Sequence, residues 1–211
     1  MNYTEIDLNT YSRQGMFYVF KDNEIPFFSV TVNIEITEFI SYTKKQDYGF
    51  FIPLSYLITK TVNEIPQFKH RIINDKLVEF KQIEPGFTVL LDNECFSFCD
   101  SLYHPNYLDY AKYTREQIEQ VKINPDSSTG DKNNQFFMSN IPWFSFTSIT
   151  HPFSTEYATV PVISIGKYFT QGNSIMLPLG VQIHHAIADG IHVAKFFQKL
   201  ENMCQNAGHC L

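Results

Sequence analysis

Residues 29–36 alternate polar and apolar side chains without a break, through Val30, Val32, Ile34 and Ile36, which predicts a half-buried β-strand. Thr37 then stands as the predicted cap of a short helix with Glu38 in its first turn. Further on the apolar spacing lengthens to three and four. Leu54, Leu57, Ile58, Thr61, Val62 and Ile65 make one stripe of a helix that starts at Pro53 and stops at Pro66. Residues 68–73 and 77–82 read as strands joined through Asn74, Asp75 and Lys76 as a hairpin, and 87–91 and 96–98 as two more strands. Residues 107–123 form the longest helical pattern away from the termini. The stretch 124–134, with Pro125, Ser127, Ser128 and Gly130, reads as a surface loop too short to separate two domains.

The second half is richer in strands, expected at 136–139, 144–148, 160–169 and 175–183, the last two joined by a turn cluster at 170–174. A helical pattern over 191–200 closes the chain. Helices interleave with a majority of strands and nothing repeats at a fixed period. The expected class is α/β in the broad, α+β sense: a large mixed sheet with flanking helices, in one domain covering residues 1–211.

Composition narrows the field. Of 211 residues, 44% are hydrophobic and only 18% charged, with 20 Phe and 12 Tyr, so a large aromatic core is expected and bulk disorder is not. A formal charge of −6 argues against nonspecific nucleic-acid binding, which needs a basic surface to displace counterions. Neither a basic leader followed by an apolar stretch nor a run of about 20 apolar residues is present, so no membrane association and a cytoplasmic location are expected. The four cysteines, Cys95, Cys99, Cys204 and Cys210, lack a CxxC pair, and Cys95 and Cys99 are expected as buried thiols in an apolar segment.

The chemistry concentrates at His184, His185, Ala186, Ile187, Ala188, Asp189 and Gly190, between an expected strand end and an expected helix start. A neutral imidazole held on rigid structure beside a carboxylate makes a general base near pH 7. Taken alone, the histidine pair is weak evidence and reads more readily as a solvated or structural pair, and Asp189 as a helix cap. His185, Asp189 and His192 stand at i, i+4 and i+7, a metal-ligand spacing on a continuous helix. The strand before His184 and the glycine at 190 argue against such a helix, so no metal is expected.

These seven residues resemble the HHxxxDG motif of CoA-dependent acyltransferases. The wider segment from Leu177 to Val193 is similar to the chloramphenicol acetyltransferase family in particular. Met1 to Thr4 with Arg13 downstream, Ser139 to Trp143 with Phe146, and Gly166 to Tyr168 resemble it too, so the likeness spans essentially the whole chain. The resemblance implies the CoA-dependent acyltransferase fold, acetyl-CoA as co-substrate without a metal, chloramphenicol as acceptor, and antibiotic resistance as the outcome. It also implies a homotrimer with active sites at subunit interfaces and a sheet that continues across them.

Residue by residue, the resemblance makes His185 the general base for direct attack of the acceptor hydroxyl on the thioester. Ser139 becomes the oxyanion stabiliser, and Asp189 pairs with Arg13 to fix the loop carrying the base. Ser164, Trp143, Lys167 and Tyr168 fall at positions on the coenzyme side, with Ser164 standing where the family has a threonine that holds a water. Phe20, Ile25, Thr88, Phe96 and Ile149 fall around the acceptor. The chain departs from familiar members at Phe20, in place of tyrosine, at Phe137, in place of a polar residue, and at Ala188, in place of cysteine. Two rival readings stay open: a superfamily acyltransferase acting on another hydroxyl acceptor, and a noncatalytic trimeric binding module.

Overall fold

The computed structural model describes residues 2–126, 130–152 and 154–211. Ser127 and Ser128, expected in the 124–134 loop, lie outside them. In chain order the elements are β1 (Tyr3–Glu5), α1 (Gln14–Phe20), β2 (Phe27–Glu35), α2 (Thr37–Gln46) and α3 (Phe51–Asn63). A 3-10 turn at Pro66–Lys69 leads to β3 (His70–Ile73), β4 (Lys76–Phe80), β5 (Glu84–Leu90), β6 (Phe96–Asp100) and α4 (Tyr107–Ile123). The second half holds β7 (Gln135–Asn140), β8 (Val162–Ile165), β9 (Phe169–Gln171), β10 (Ser174–His184), α5 (Gly190–Gln205) and the short α6 (Ala207–Cys210).

Six of these strands lie in the order β2-β10-β8-β7-β5-β6, with β9 paired to the start of β10, making a mixed seven-stranded sheet. The β5–β7 and β7–β8 pairs are parallel, and the remaining pairs are antiparallel. A second sheet, β1-β4-β3, contains the expected hairpin. Asn74 and Asp75 both take positive φ (50° and 61°), the geometry a two-residue turn needs to follow the strand twist.

Alternation along each strand sorts side chains between two faces. Phe136 and Met138, Ile163 and Ile165, and Leu177, Leu179, Val181 and Ile183 enter one apolar core with Leu54, Leu57 and Ile58 of α3, Tyr110 of α4 and Phe196 and Leu200 of α5. The residues between them face the other way. That second face is covered in part by residues 141–152, whose Ile149 lies over the Cα of Gly180.

One buried cation fixes where β7 begins. Arg71 is fully buried, and its guanidinium donates to the carbonyls of Phe68, His70, Asn133 and Gln135. Four carbonyl oxygens take four of its five N–H donors without a carboxylate, while burial pulls its pKa down to about 9.

Four expectations are corrected. Thr37 does not cap α2; its hydroxyl accepts the Ile175 N–H and donates to Glu35, joining the start of α2 to β10. Residues 144–148 form no strand; the Phe144 carbonyl instead accepts a single bond from the Lys167 N–H in the β8–β9 connection. The 160–169 strand breaks after Ile165, at a glycine whose Cβ would lie 2.7 Å from Pro178 Cγ and 2.8 Å from Phe146 Cε1. Cys95 is exposed in the β5–β6 turn, whereas Cys99 is buried. Among the described residues no helix is long and apolar enough to cross a membrane.

Candidate active site

β10 ends at His184, and residues 185–189 form a turn that enters α5 at Gly190. His185, Asp189 and His192 therefore do not share a helix face. Arg13, at the start of α1, holds this turn with four bonds. Its Nε and one terminal nitrogen fork onto the two Asp189 carboxylate oxygens at 2.8 and 2.6 Å. Its terminal nitrogens also donate to His185 O at 3.0 Å and Ala186 O at 3.1 Å. A planar, permanently charged fork suits such a site, where a carboxylate and two carbonyls must be met at fixed angles. The hydrogen bond from Arg13 holds the Asp189 carboxyl below the usual carboxylate range.

The His185 ring lies flat against Phe20, with centroids 3.9 Å apart and planes 1° from parallel, and Phe28 meets it at 4.7 Å. Asp189 Oδ1 sits 3.2 Å from the buried His185 Nδ1 but off the line of a well-aligned hydrogen bond. With Nδ1 buried, the exposed part of the ring is the edge that carries Nε2.

His184 differs. It is 3% exposed, its Nδ1 accepts the Ala186 N–H at 3.1 Å, and desolvation followed by the neighbouring His185 pushes its pKa down to about 4. That ring is neutral and structural.

A second group of candidates gathers on the open face of the sheet. Strand register sets Thr31, Gly180, Ser164 and Ser139 side by side across β2, β10, β8 and β7. Thr88, one residue beyond the paired Phe87, continues the row on β5 and faces Phe98 on β6. A band of hydroxyls thus crosses the sheet, roofed at its middle by Ile149. Phe96 stands on the same face at the β6 rim, 59% exposed, in edge contact with Phe98. Just past the ends of β7 and β8, Trp143, Lys167 and Tyr168 are exposed on one rim, tied together by the Lys167–Phe144 backbone bond and by Ser145 Oγ donating to Lys167 O at 2.6 Å.

The two groups do not meet within one chain. Ser139 lies two strands across from β10 and in line with Gly180, five residues before His185, so the two are separated by roughly 10 Å across the sheet and about 16 Å along it. Phe20 belongs with His185, whereas Thr88, Ser164 and Ile149 belong with Ser139. Ile25 stands exposed in the connection before β2.

The sequence model of the family described as chloramphenicol acetyltransferase matches residues 1–201. The chain belongs to the chloramphenicol acetyltransferase family. Its relatives include chloramphenicol acetyltransferase 2 of Escherichia coli, 31% identical over 98% of this chain and 99% of that protein. Chloramphenicol acetyltransferase 2 of Haemophilus influenzae is 32% identical with the same coverage, and the Clostridium butyricum enzyme is 32% identical over 96% of this chain and 95% of its own. Among solved structures, a chloramphenicol acetyltransferase superposes with a TM-score of 0.82 at 24% identity, covering 96% of this chain and 99% of that one. The dihydrolipoamide acetyltransferase of Azotobacter vinelandii follows at 0.69 and 18%, covering 93% and 88%. These likenesses give this chloramphenicol acetyltransferase family member the fold of the CoA-dependent acyltransferase catalytic cores.

Several groups around the site have no signature in the sequence. His151 places Nε2 2.7 Å from Ser164 Oγ. His192 accepts the Asp189 N–H on Nδ1 at 2.9 Å. Tyr11 accepts a long bond from Arg13 at 3.3 Å, and Phe28 flanks the His185 ring. His151 stands in a stretch with no regular periodicity, so only the folded chain reveals its partner.

Proposed function

We propose that this protein transfers an acetyl group from acetyl-CoA to a hydroxyl of chloramphenicol, and so confers resistance to the antibiotic. The observation that carries the reading is the Arg13 clamp, which presents His185 by its Nε2 edge in a chain of this family. His185 Nε2 takes the hydroxyl proton as the acceptor oxygen attacks the thioester carbonyl. An alcohol is a weak acid near pH 7, so the base must act as the bond forms. The carbonyl oxygen becomes an oxyanion, to which Ser139 Oγ–H donates. Collapse breaks the C–S bond, the proton on His185 passes to the thiolate, and acetylated antibiotic and free CoA leave without an acyl-enzyme. Phe20, stacked on the ring, and Asp189, beside Nδ1, hold the imidazole in its plane through the transfer.

The separation of His185 from Ser139 supports an active site shared between chains. In this reading one catalytic domain spans the chain and three copies assemble with His185 of each facing Ser139 of the next. Trp143, Lys167 and Tyr168 flank acetyl-CoA beyond the β7 and β8 ends, with Ser164 next to the acyl group. Thr88, Phe96, Ile149, Phe20 and Ile25 surround the acceptor from both sides of the boundary. A cytoplasmic location fits the supply of acetyl-CoA, and no metal takes part.

Acetyl-CoA and chloramphenicol together should release free thiol. His185→Ala should abolish that release, and Ser139→Ala should lower kcat by about 100-fold or more with little change in KM, because the oxyanion exists only along the reaction path. A chelator should change nothing. Full activity in the His185→Ala protein would overturn the mechanism.

A further inference from the structure

The open face carries a second imidazole that the mechanism above does not use. His151 lies in the stretch 141–152 after β7, and its backbone is bound to one side chain of the sheet. Its N–H donates to Gln182 Oε1 at 2.8 Å, and Gln182 Nε2 returns a weaker bond to His151 O at 3.4 Å. Ser29 Oγ donates to the same Gln182 oxygen at 3.3 Å, which fixes the amide. Held in this way, the ring sets Nε2 2.7 Å from the hydroxyl of Ser164, a side chain only 1% exposed and in direct register with Ser139 on the neighbouring strand. Gly180 on the other side of Ser164 has no side chain to offer a competing bond.

A serine hydroxyl has one proton to give. If Ser164 donates to the ring, it presents only lone pairs toward Ser139, and a nearby oxyanion is repelled. If the ring donates instead, Ser164 accepts there and its own proton is free to point along the row. Burial holds the His151 pKa below its ordinary value, so near pH 7 the ring is neutral and has a single N–H to place. Which nitrogen carries that proton decides whether Ser164 helps or hinders.

We propose that His151 is a positioning residue of the acetyl-transfer site, donating Nε2–H to Ser164 Oγ so that the Ser164 proton faces Ser139 and the oxyanion formed beside it. The inference rests on the function proposed above, since it assigns the oxyanion to the Ser139 end of the row. His151 would touch no reacting atom. It acts by setting the direction of one hydroxyl, and it makes a serine suffice at that position, because the imidazole removes the rotational freedom of the short side chain.

The test compares substitutions by donor ability. His151→Leu, which has no donor, should lower kcat roughly tenfold while KM for chloramphenicol stays within about twofold, the size of one mispositioned hydrogen bond. His151→Gln, whose amide can still donate, should keep most of the activity. His151→Glu, which at neutral pH can only accept, should fall at least as far as His151→Leu. Ser164→Ala should lose activity to a similar degree, and adding His151→Leu to it should cost nothing more. Equal activity of the Gln and Glu variants, or losses that multiply in the double variant, would overturn the proposal. Nitrogen NMR of the ring supplies a readout without turnover: the wild-type proton should sit on Nε2, and a proton on Nδ1 alone would refute the assignment. Were the wild-type protein to release no thiol with chloramphenicol, the functional reading would fall, while the NMR result would still decide the donor arrangement.

Discussion

At the scale of single residues, the site depends on side chains whose shape matters as much as their charge. Arg13 meets two carboxylate oxygens and two carbonyls at once. A lysine has the charge without the fork. Arg13→Lys should therefore release the 185–189 turn, lowering kcat/KM by about 10- to 100-fold, the usual effect of small misplacement of a catalytic group. The same change should cost about 2 kcal/mol of stability, less than for a fully buried pair because the Asp189 side chain is 31% exposed. Urea unfolding read beside thiol release separates the two effects. The contact between Arg13 and Asp189 was expected only from the family resemblance, since no local spacing links two residues so far apart in the chain. The partners of His151 and His192 were not legible at all, because a lone histidine carries no sign of which hydroxyl or N–H it will meet.

Among the elements, periodicity was a good guide wherever one face is buried and the other is not. The alternation over 29–36 became β2, and the helical pattern over 107–123 became α4 with the expected ends. It failed over 144–148, where aromatic and hydroxyl residues have strand composition but find no neighbouring strand to complete a ladder. It also missed the break after Ile165, at Gly166, where Pro178 and Phe146 leave no room for a side chain. Arg71 shows how one element governs another. Its four carbonyl bonds tie the 3-10 turn to the start of β7, the strand that carries Ser139. Arg71→Leu should fill the space but strand those buried carbonyls, costing about 3 kcal/mol or more. The outcome to expect is a lower thermal midpoint together with reduced kcat, while an unchanged midpoint would show that water or rearrangement satisfies the same oxygens.

For the molecule as a whole, buried neutral histidines link stability to pH. Burial lowers His70 to about 3 and His184 to about 4, and lowers His192 as well. Each binds a proton more readily unfolded than folded. Their contribution is therefore complete above the unfolded pKa near 6.5 and is lost as pH falls, down to about 4 for His184 and about 3 for His70. At pH 5 the loss is about 2 kcal/mol for each of these two, so urea midpoints should drop markedly between pH 7 and pH 5. The proposed sharing of the site between copies has its own signature. His185→Ala and Ser139→Ala proteins, each inactive or nearly so, should regain about a quarter of wild-type activity when unfolded and refolded together, because random assembly of a closed ring restores that share of intact pairs. Absence of any recovery would place His185 and Ser139 of one site on the same chain.

By itself the sequence determined the local alternatives: which stretches have a face to bury, where turns fall, and which residues carry base, carboxylate and hydroxyl chemistry. Those follow from propensity, period and residue type, all of which act over a few neighbours. Only the tertiary structure decided which strands pair and in what register. Register aligns Thr88, Ser139, Ser164 and Gly180 in one row, brings Arg13 onto a turn more than 170 residues away, and seats His151 against Ser164. It also separates His185 from Ser139 within the chain. Contacts of that kind arise from burying many side chains at once in one core, and no short window of sequence contains the sum.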